Sequence, residues 1–154
     1  EIQVPYPDRA TERDILLATT GAQEAEVSAV FDPDQLLAAQ ALIRRMPVGE
    51  AIVELILDLV RAFRPEDPTA PERVRENMRW GPGPRAAQAL MLAVRARALL
   101  RGAYAPSAQD VADLAPAVLN HRMALAFGAR ARGITQLELI GDVTQMILDK
   151  KAAS

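Results

Sequence analysis

The sequence contains no cysteine and a single histidine, His121. Disulfides, thiolate metal sites and cysteine nucleophiles are thereby excluded, as is any histidine-rich metal centre. Lysine occurs only as Lys150 and Lys151, all other basic side chains being arginine. Aromatic residues are 4% of the chain, so a core must be built from Leu, Ile, Val, Ala and Met, which favours helices. No run approaches the roughly 18 consecutive apolar residues of a membrane span, and no leader pattern is visible. The expectation is a cytoplasmic protein without membrane insertion. A net charge of −2 and a pI near 5.5 leave no basic footprint for nucleic acid.

What is present is ordinary for a globular domain: 154 residues, 50% hydrophobic and 25% charged. That length allows one domain, or one modest domain with an appendage. The chain starts at Glu1 without a methionine, which reads as a piece of something longer.

Along the chain, Glu1-Ile2-Gln3-Val4 alternates like a short strand, stopped by Pro5-Tyr6-Pro7 and lacking an evident partner. Asp8 caps a helix to about Thr20, with Ile15 and Leu16 facing inward and Gly21 ending it. Asp32-Pro33-Asp34-Gln35 opens a second helix, expected to bury Leu36, Leu37, Ala39, Ile43 and Met46. A third begins at Gly49 and repeats Ile52, Ile56, Leu59, Val60 and Phe63 at helical spacing. Glu50, Glu54 and Asp58 line another face of it, the pattern of a solvated helix surface.

Residues 64–83 form a proline-rich loop with Pro65, Pro68, Pro71 and Pro82, in which Thr69-x-x-Glu72 can open one short helix. A helix then runs from Pro84 to about Arg101 and ends at Gly102. Ser107-x-x-Asp110 opens another, which Pro116 is expected to break or kink. Thr135-x-x-Glu138 opens the last, with Leu139, Val143, Ile147 and Leu148 on its buried face and both lysines in its last turn. The fold class is all-α: a bundle of about six helices preceded by one short orphan strand.

One residue stands against its local electrostatics. In Trp80-Gly81-Pro82-Gly83-Pro84-Arg85-Ala86, Gly83 is the cap, Pro84 the first helical position, and Arg85 sits in the first turn. The amino end of a helix is already partly positive, so an arginine there costs a few tenths of a kcal/mol. Facing an anion offsets that cost, and helix starts bind phosphate oxygens well. A solvated arginine at an ordinary loop-to-helix junction is the competing reading. No P-loop, Rossmann glycine pattern or nucleophile elbow is present, and no spacing supports a triad from Ser107, His121 and Asp110. Trp80 and Tyr104 read as packed residues, and His121 as a satisfied histidine near a helix end.

Taken in order, these motifs resemble the carboxy-terminal part of MoxR-family AAA+ ATPases. The family's last core strand and Tyr-Pro-x-Arg-like turn are similar to Ile2–Val4 and Tyr6-Pro7-Asp8-Arg9. Val60-Arg61-Ala62-Phe63-Arg64 resembles its Val-Arg-Ala-x-Arg helix end, and Pro65-Glu66-Asp67-Pro68 the acidic, proline-rich stretch after it. Residues 80–86 resemble its second sensor motif, with Pro82 replacing an alanine. Leu114-Ala115-Pro116-Ala117-Val118-Leu119-Asn120-His121-Arg122 is similar to a further family pattern.

The resemblance implies that residues 1–7 are the last strand and linker of a nucleotide-binding core lying upstream, and residues 8–154 a helical lid. It implies a parent ATPase using ATP and Mg2+, while this chain, which has neither Walker A nor Walker B, binds no cofactor and no metal alone. Arg85 is implied as the sensor arginine on the terminal phosphate of ATP, with Gly81, Gly83 and Pro84 shaping the turn around it. The implied partners are the AAA+ core of the same protein, a homo-oligomeric ring of hexamer type, and proteins with von Willebrand factor A domains. The implied role is chaperone-like assembly or activation. Two alternatives stay open: a stand-alone helical protein-interaction module that never meets nucleotide, and the lid of a magnesium-chelatase-type ATPase subunit.

Overall fold

The structure is a computed structural model that describes residues 2–22 and 26–153. The chain divides into a small unit, Ile2–Ala39, and a larger one that begins at Gln40.

In the small unit, α1 spans Arg9–Thr20. Its cap is the one the sequence announces: Asp8 Oδ1 accepts the Thr11 N–H at 2.8 Å, and Gly21 follows the last turn. Helix α2, Pro33–Arg45, is opened by a reciprocal pair in which Gln35 N–H donates to Asp32 Oδ1 at 2.7 Å and Asp32 N–H to Gln35 Oε1 at 3.1 Å. Ile2–Val4 makes no ladder with any described residue. One expectation fails in this region. Ile15, Leu16, Leu36 and Leu37, expected inside, are all at least half exposed, since among the described residues nothing covers them fully. Of the α2 set only Met46 is buried.

The larger unit holds α3 (Glu50–Ala62), α5 (Pro84–Leu100), α6 (Ala108–Leu119) and α8 (Gln136–Ala152), with two short helices, α4 (Glu72–Asn77) and α7 (Phe127–Ala131). Helix α3 packs on α5, α6 and α8, and α6 also packs on α5 and α8. The core follows from sequence spacing. Ile56, Leu59, Val60 and Phe63 face inward from α3 and its cap, and Leu139, Ile140, Val143 and Ile147 from α8. On α5 the buried residues are Ala86, Leu90, Val94 and Ala98, a seam repeating every fourth residue. Each large side chain so buried contributes about 1.5–3 kcal/mol. The all-α bundle is therefore as expected, with eight helices among the described residues.

Helix ends are set by local chemistry. Gly102, at φ +69°, stops α5: its N–H bonds the Leu99 carbonyl at 2.9 Å and the Ala103 N–H bonds that of Ala98 at 2.9 Å, a Schellman pair. Tyr104, expected to pack in this loop, is 93% exposed, because backbone bonds close the turn without it. Capping boxes form at Ser107/Asp110 and Thr135/Glu138. Pro116 does not break its helix; α6 runs through it to Leu119.

Asp110 does more than cap. Almost wholly buried, its Oδ2 accepts from Ser107 N–H and Oγ, both at 2.8 Å, and from Arg101 Nη2 at 2.6 Å. Arg97 Nε lies 3.2 Å from Oδ1. Burial works to raise the Asp110 pKa, but the Ser107 hydrogen bonds and the charges of Arg101 and Arg97 together hold it below the ordinary 3.8. A depressed carboxyl pKa contributes stability that is fully present above the unfolded value and is lost as pH falls through the folded one. Asp110→Asn is expected to cost about 1.5–3 kcal/mol at pH 7 and much less at about pH 2. Urea midpoints of both proteins at the two pH values check this; an equal gap at both contradicts it.

The proline-rich stretch 64–83 is ordered. Thr69 does not cap α4; its N–H and Oγ1 both donate to Asp67 Oδ1, at 2.9 and 2.6 Å, and Pro71 takes the cap position instead. The next element has no local signal in the sequence. Strand β1, Met78–Trp80, pairs antiparallel with β2, Ala124–Leu125, placing Trp80 opposite Ala124 and Met78 opposite Leu125. Buried Asn77 anchors the ribbon. Its carbonyl accepts the Ala126 N–H at 2.8 Å, its Oδ1 accepts from Arg132 Nη2 at 2.7 Å, and its Nδ2 donates to the Arg73 carbonyl at 2.7 Å.

Candidate functional site

The turn before α5 is fixed from two sides. Gly81 runs so close to the end of α3 that a Cβ on it would lie 2.2 Å from the Phe63 carbonyl oxygen and 2.7 Å from Arg64 Cα. Only glycine fits there. One residue on, the Pro82 carbonyl accepts from Arg64 Nε at 2.9 Å. Gly83 is different: it takes the N-cap at φ −80° and ψ −179°, where any residue can sit, and a Cβ would meet nothing within 4 Å. Pro84 is the first helical residue and Arg85 the second.

Arg85 is exposed, and among the described residues its guanidinium has no carboxylate or carbonyl partner. It faces an open groove of about 620 Å³ lined by Gly83, Pro84, Arg85, Ala86, Gln88 and Arg122. No acidic residue is among them. Of the site residues named from sequence, Gly83, Pro84 and Arg85 thus meet at one surface, while Gly81 works behind it as a close contact to α3.

Arg122 is brought there by the ribbon. Trp80 and Ala124 are paired across β1 and β2, so the loop before β2 lies beside the turn after β1. Gln136, the first residue of α8, fixes that loop by donating Nε2 to the Asn120 carbonyl and, at 3.0 Å, to that of Met123. Half-buried Arg122 donates Nη1 to the Val118 carbonyl at 2.7 Å and touches the exposed ring of His121. Local sequence points to no role for Arg64 or Arg122. Each closes a motif quoted above, but their part depends on neighbours far along the chain.

A contrasting groove of about 320 Å³, lined in part by Asp58, Met146, Lys150 and Lys151, contains an ion pair of its own. There Lys151 Nζ lies 2.6 Å from Asp58 Oδ2. The groove at α5 differs in being lined by two arginines and no acidic residue, with the start of α5 beside them. Such a surface suits an anion with several oxygens. It does not suit a divalent cation. Among the described residues no three acidic or histidine side chains group as a metal site.

A family model, the AAA lid domain, matches residues 70–142, from just before α4 to the start of α8. The match holds the β-ribbon, the turn at Gly81–Pro84, Arg85 and Arg122. The chain is also 29% identical over 147 residues to "Chaperone MoxR1" of Mycobacterium tuberculosis, an alignment covering 96% of this chain and 39% of that protein. The MoxR-family AAA+ resemblance seen in the motifs is thus met again along nearly the whole sequence. The chain spans about two fifths of the length of that curated relative. A crystal structure of a candidate ATPase from Cytophaga hutchinsonii superposes with a TM-score of 0.79 at 22% identity, over 92% of this chain and 43% of the other. That likeness is one of fold. Among the described residues no helix is long and apolar enough to cross a membrane.

Proposed function

We propose that this AAA lid belongs to a MoxR-like ATPase, in which Arg85 contacts the terminal phosphate of ATP held between the lid and a nucleotide-binding core on the same polypeptide. The observation that carries this reading is an arginine without a counter-ion in the first turn of α5, on a groove with no acidic lining. A guanidinium keeps its charge and matches phosphate oxygens with its fork of donors. There it stabilises charge on the transferring phosphoryl group and makes lid orientation depend on the nucleotide. Arg64, through Pro82, and Gly81, against Phe63, keep the turn that aims it in place.

ATP supplies the phosphoryl chemistry when bound; the groove residues fit its phosphates. The Mg2+ ligands of such a site belong to the core. Following the MoxR resemblance, the parent works as a hexameric ring in the cytoplasm and spends its ATP cycle on chaperone-like assembly or activation of partners, among them von Willebrand factor A domain proteins. The magnesium-chelatase-type lid is the runner-up within the ATPase class.

The reading is tested on the polypeptide upstream of Glu1. A Gly-x-x-x-x-Gly-Lys-(Ser or Thr) motif there, with ATP hydrolysis by the intact protein, is the expected result. A chain that starts at this unit, or an intact protein that neither binds nor hydrolyses ATP, overturns it in favour of the stand-alone interaction module.

A further inference from the structure

We infer that Arg122 is a second phosphate-contacting residue of the same groove, acting with Arg85 on the polyphosphate of a nucleoside triphosphate. The inference rests on the reading of Arg85 above and adds a residue to it. Two observations carry it. Arg122 and Arg85 line one cavity of about 620 Å³ without a carboxylate between them. The chain also invests structure in holding Arg122 there: the β1–β2 ribbon, the Gln136 bonds to the Asn120 and Met123 carbonyls, and the 2.7 Å bond from Arg122 Nη1 to the Val118 carbonyl.

That last bond pre-sets the guanidinium. A long side chain loses rotamer freedom on binding, and one already tethered by one nitrogen loses less. Arg85 is the opposite case, exposed and untethered among the described residues. The pair therefore divides the work: Arg122 is a tethered donor in the groove, and Arg85 an untethered one. Two arginines lining one groove that has no acidic residue in its lining suit a polyphosphate, whose several negative oxygens can take both positive charges. A single surface arginine at a helix start makes no such demand for a multiply charged ligand.

The test uses the intact ATPase with Arg122→Ala, Arg122→Gln, Arg122→Lys and Arg85→Ala. Readouts are ATP turnover, competition by inorganic tripolyphosphate against a fluorescent ATP analogue, and the thermal midpoint. Arg122→Ala and Arg122→Gln are each expected to weaken tripolyphosphate competition about tenfold, the loss of one charge-assisted hydrogen bond. Arg122→Lys, which keeps the charge, is expected to recover most of it. Gln retains a neutral donor for the Val118 carbonyl, so it reports on charge even where Ala harms the fold. Wild-type competition and turnover in Arg122→Gln overturn the inference and leave Arg122 as a support for the end of α6. If Arg85→Ala alone is impaired, only the inference about Arg122 falls. If neither position matters, the reading of Arg85 falls with it.

Discussion

Alanine in place of Arg85 in the intact protein is expected to lower ATP turnover by at least about 100-fold, the scale on which single transition-state donors and arginine fingers act. Its effect on stability has the opposite sign. Arg85 lies in the first turn of α5, where the helix end is already positive, and no described residue offsets its charge. Removing it relieves a few tenths of a kcal/mol, so the thermal midpoint stays level or rises by about 1–2 °C. A residue kept for folding does not behave in this way. Steady-state kinetics with a melting curve on the same preparation check both halves; wild-type turnover sinks the assignment.

The largest structural effect is expected at Gly81. A Cβ there meets backbone atoms, the Phe63 carbonyl oxygen at 2.2 Å and Arg64 Cα at 2.7 Å, and no side chain can swing aside to admit it. Gly81→Ala must push the turn off α3, disturbing buried Phe63 and the Arg64–Pro82 bond together. A loss of about 3 kcal/mol is expected, the upper range for overpacking. Gly83→Ala is the control two residues on. Its Cβ meets nothing within 4 Å, and only the weaker N-cap preference of alanine is felt, at most about 1 kcal/mol. Denaturant midpoints of the two variants measure the difference. Equal losses contradict the close contact to α3. Because the same turn aims Arg85, Gly81→Ala is also expected to reduce turnover in the intact protein.

The contrast between these two glycines shows what could be read without coordinates. Helix starts are legible at Asp8, Asp32, Ser107 and Thr135 because a cap is written within four residues and satisfied within them, and at Gly83 because Pro84 follows it at the first helical position. The cap at Thr69 failed for the same local reason, since Asp67 two residues earlier competes for its donors and wins. The core faces of α3 and α8 were legible from helical spacing. Ile15, Leu16, Leu36 and Leu37 show the limit of that signal, because an apolar face is buried only where another layer covers it.

What stayed hidden depends on pairs distant in sequence. Two strands of three and two residues carry almost no pattern of their own; they exist because Met78 and Trp80 meet Leu125 and Ala124. The same ribbon brings Arg122 to the groove of Arg85, which no local reading of His121-Arg122 could foresee. Asp110 is legible as half of a capping box, and its ion pairs with Arg97 and Arg101 appear only once α5 and α6 are packed. The place of Arg85 in a first turn was legible; the absence of any acidic neighbour in its groove was not.

The most direct measurement is a structure of the intact protein bound to a non-hydrolysable ATP analogue. The predicted result places an Arg85 guanidinium nitrogen about 2.7–2.9 Å from an oxygen of the terminal phosphate, with the helix start of α5 turned toward it. A nucleotide held by the core alone, with Arg85 still in solvent, contradicts the account.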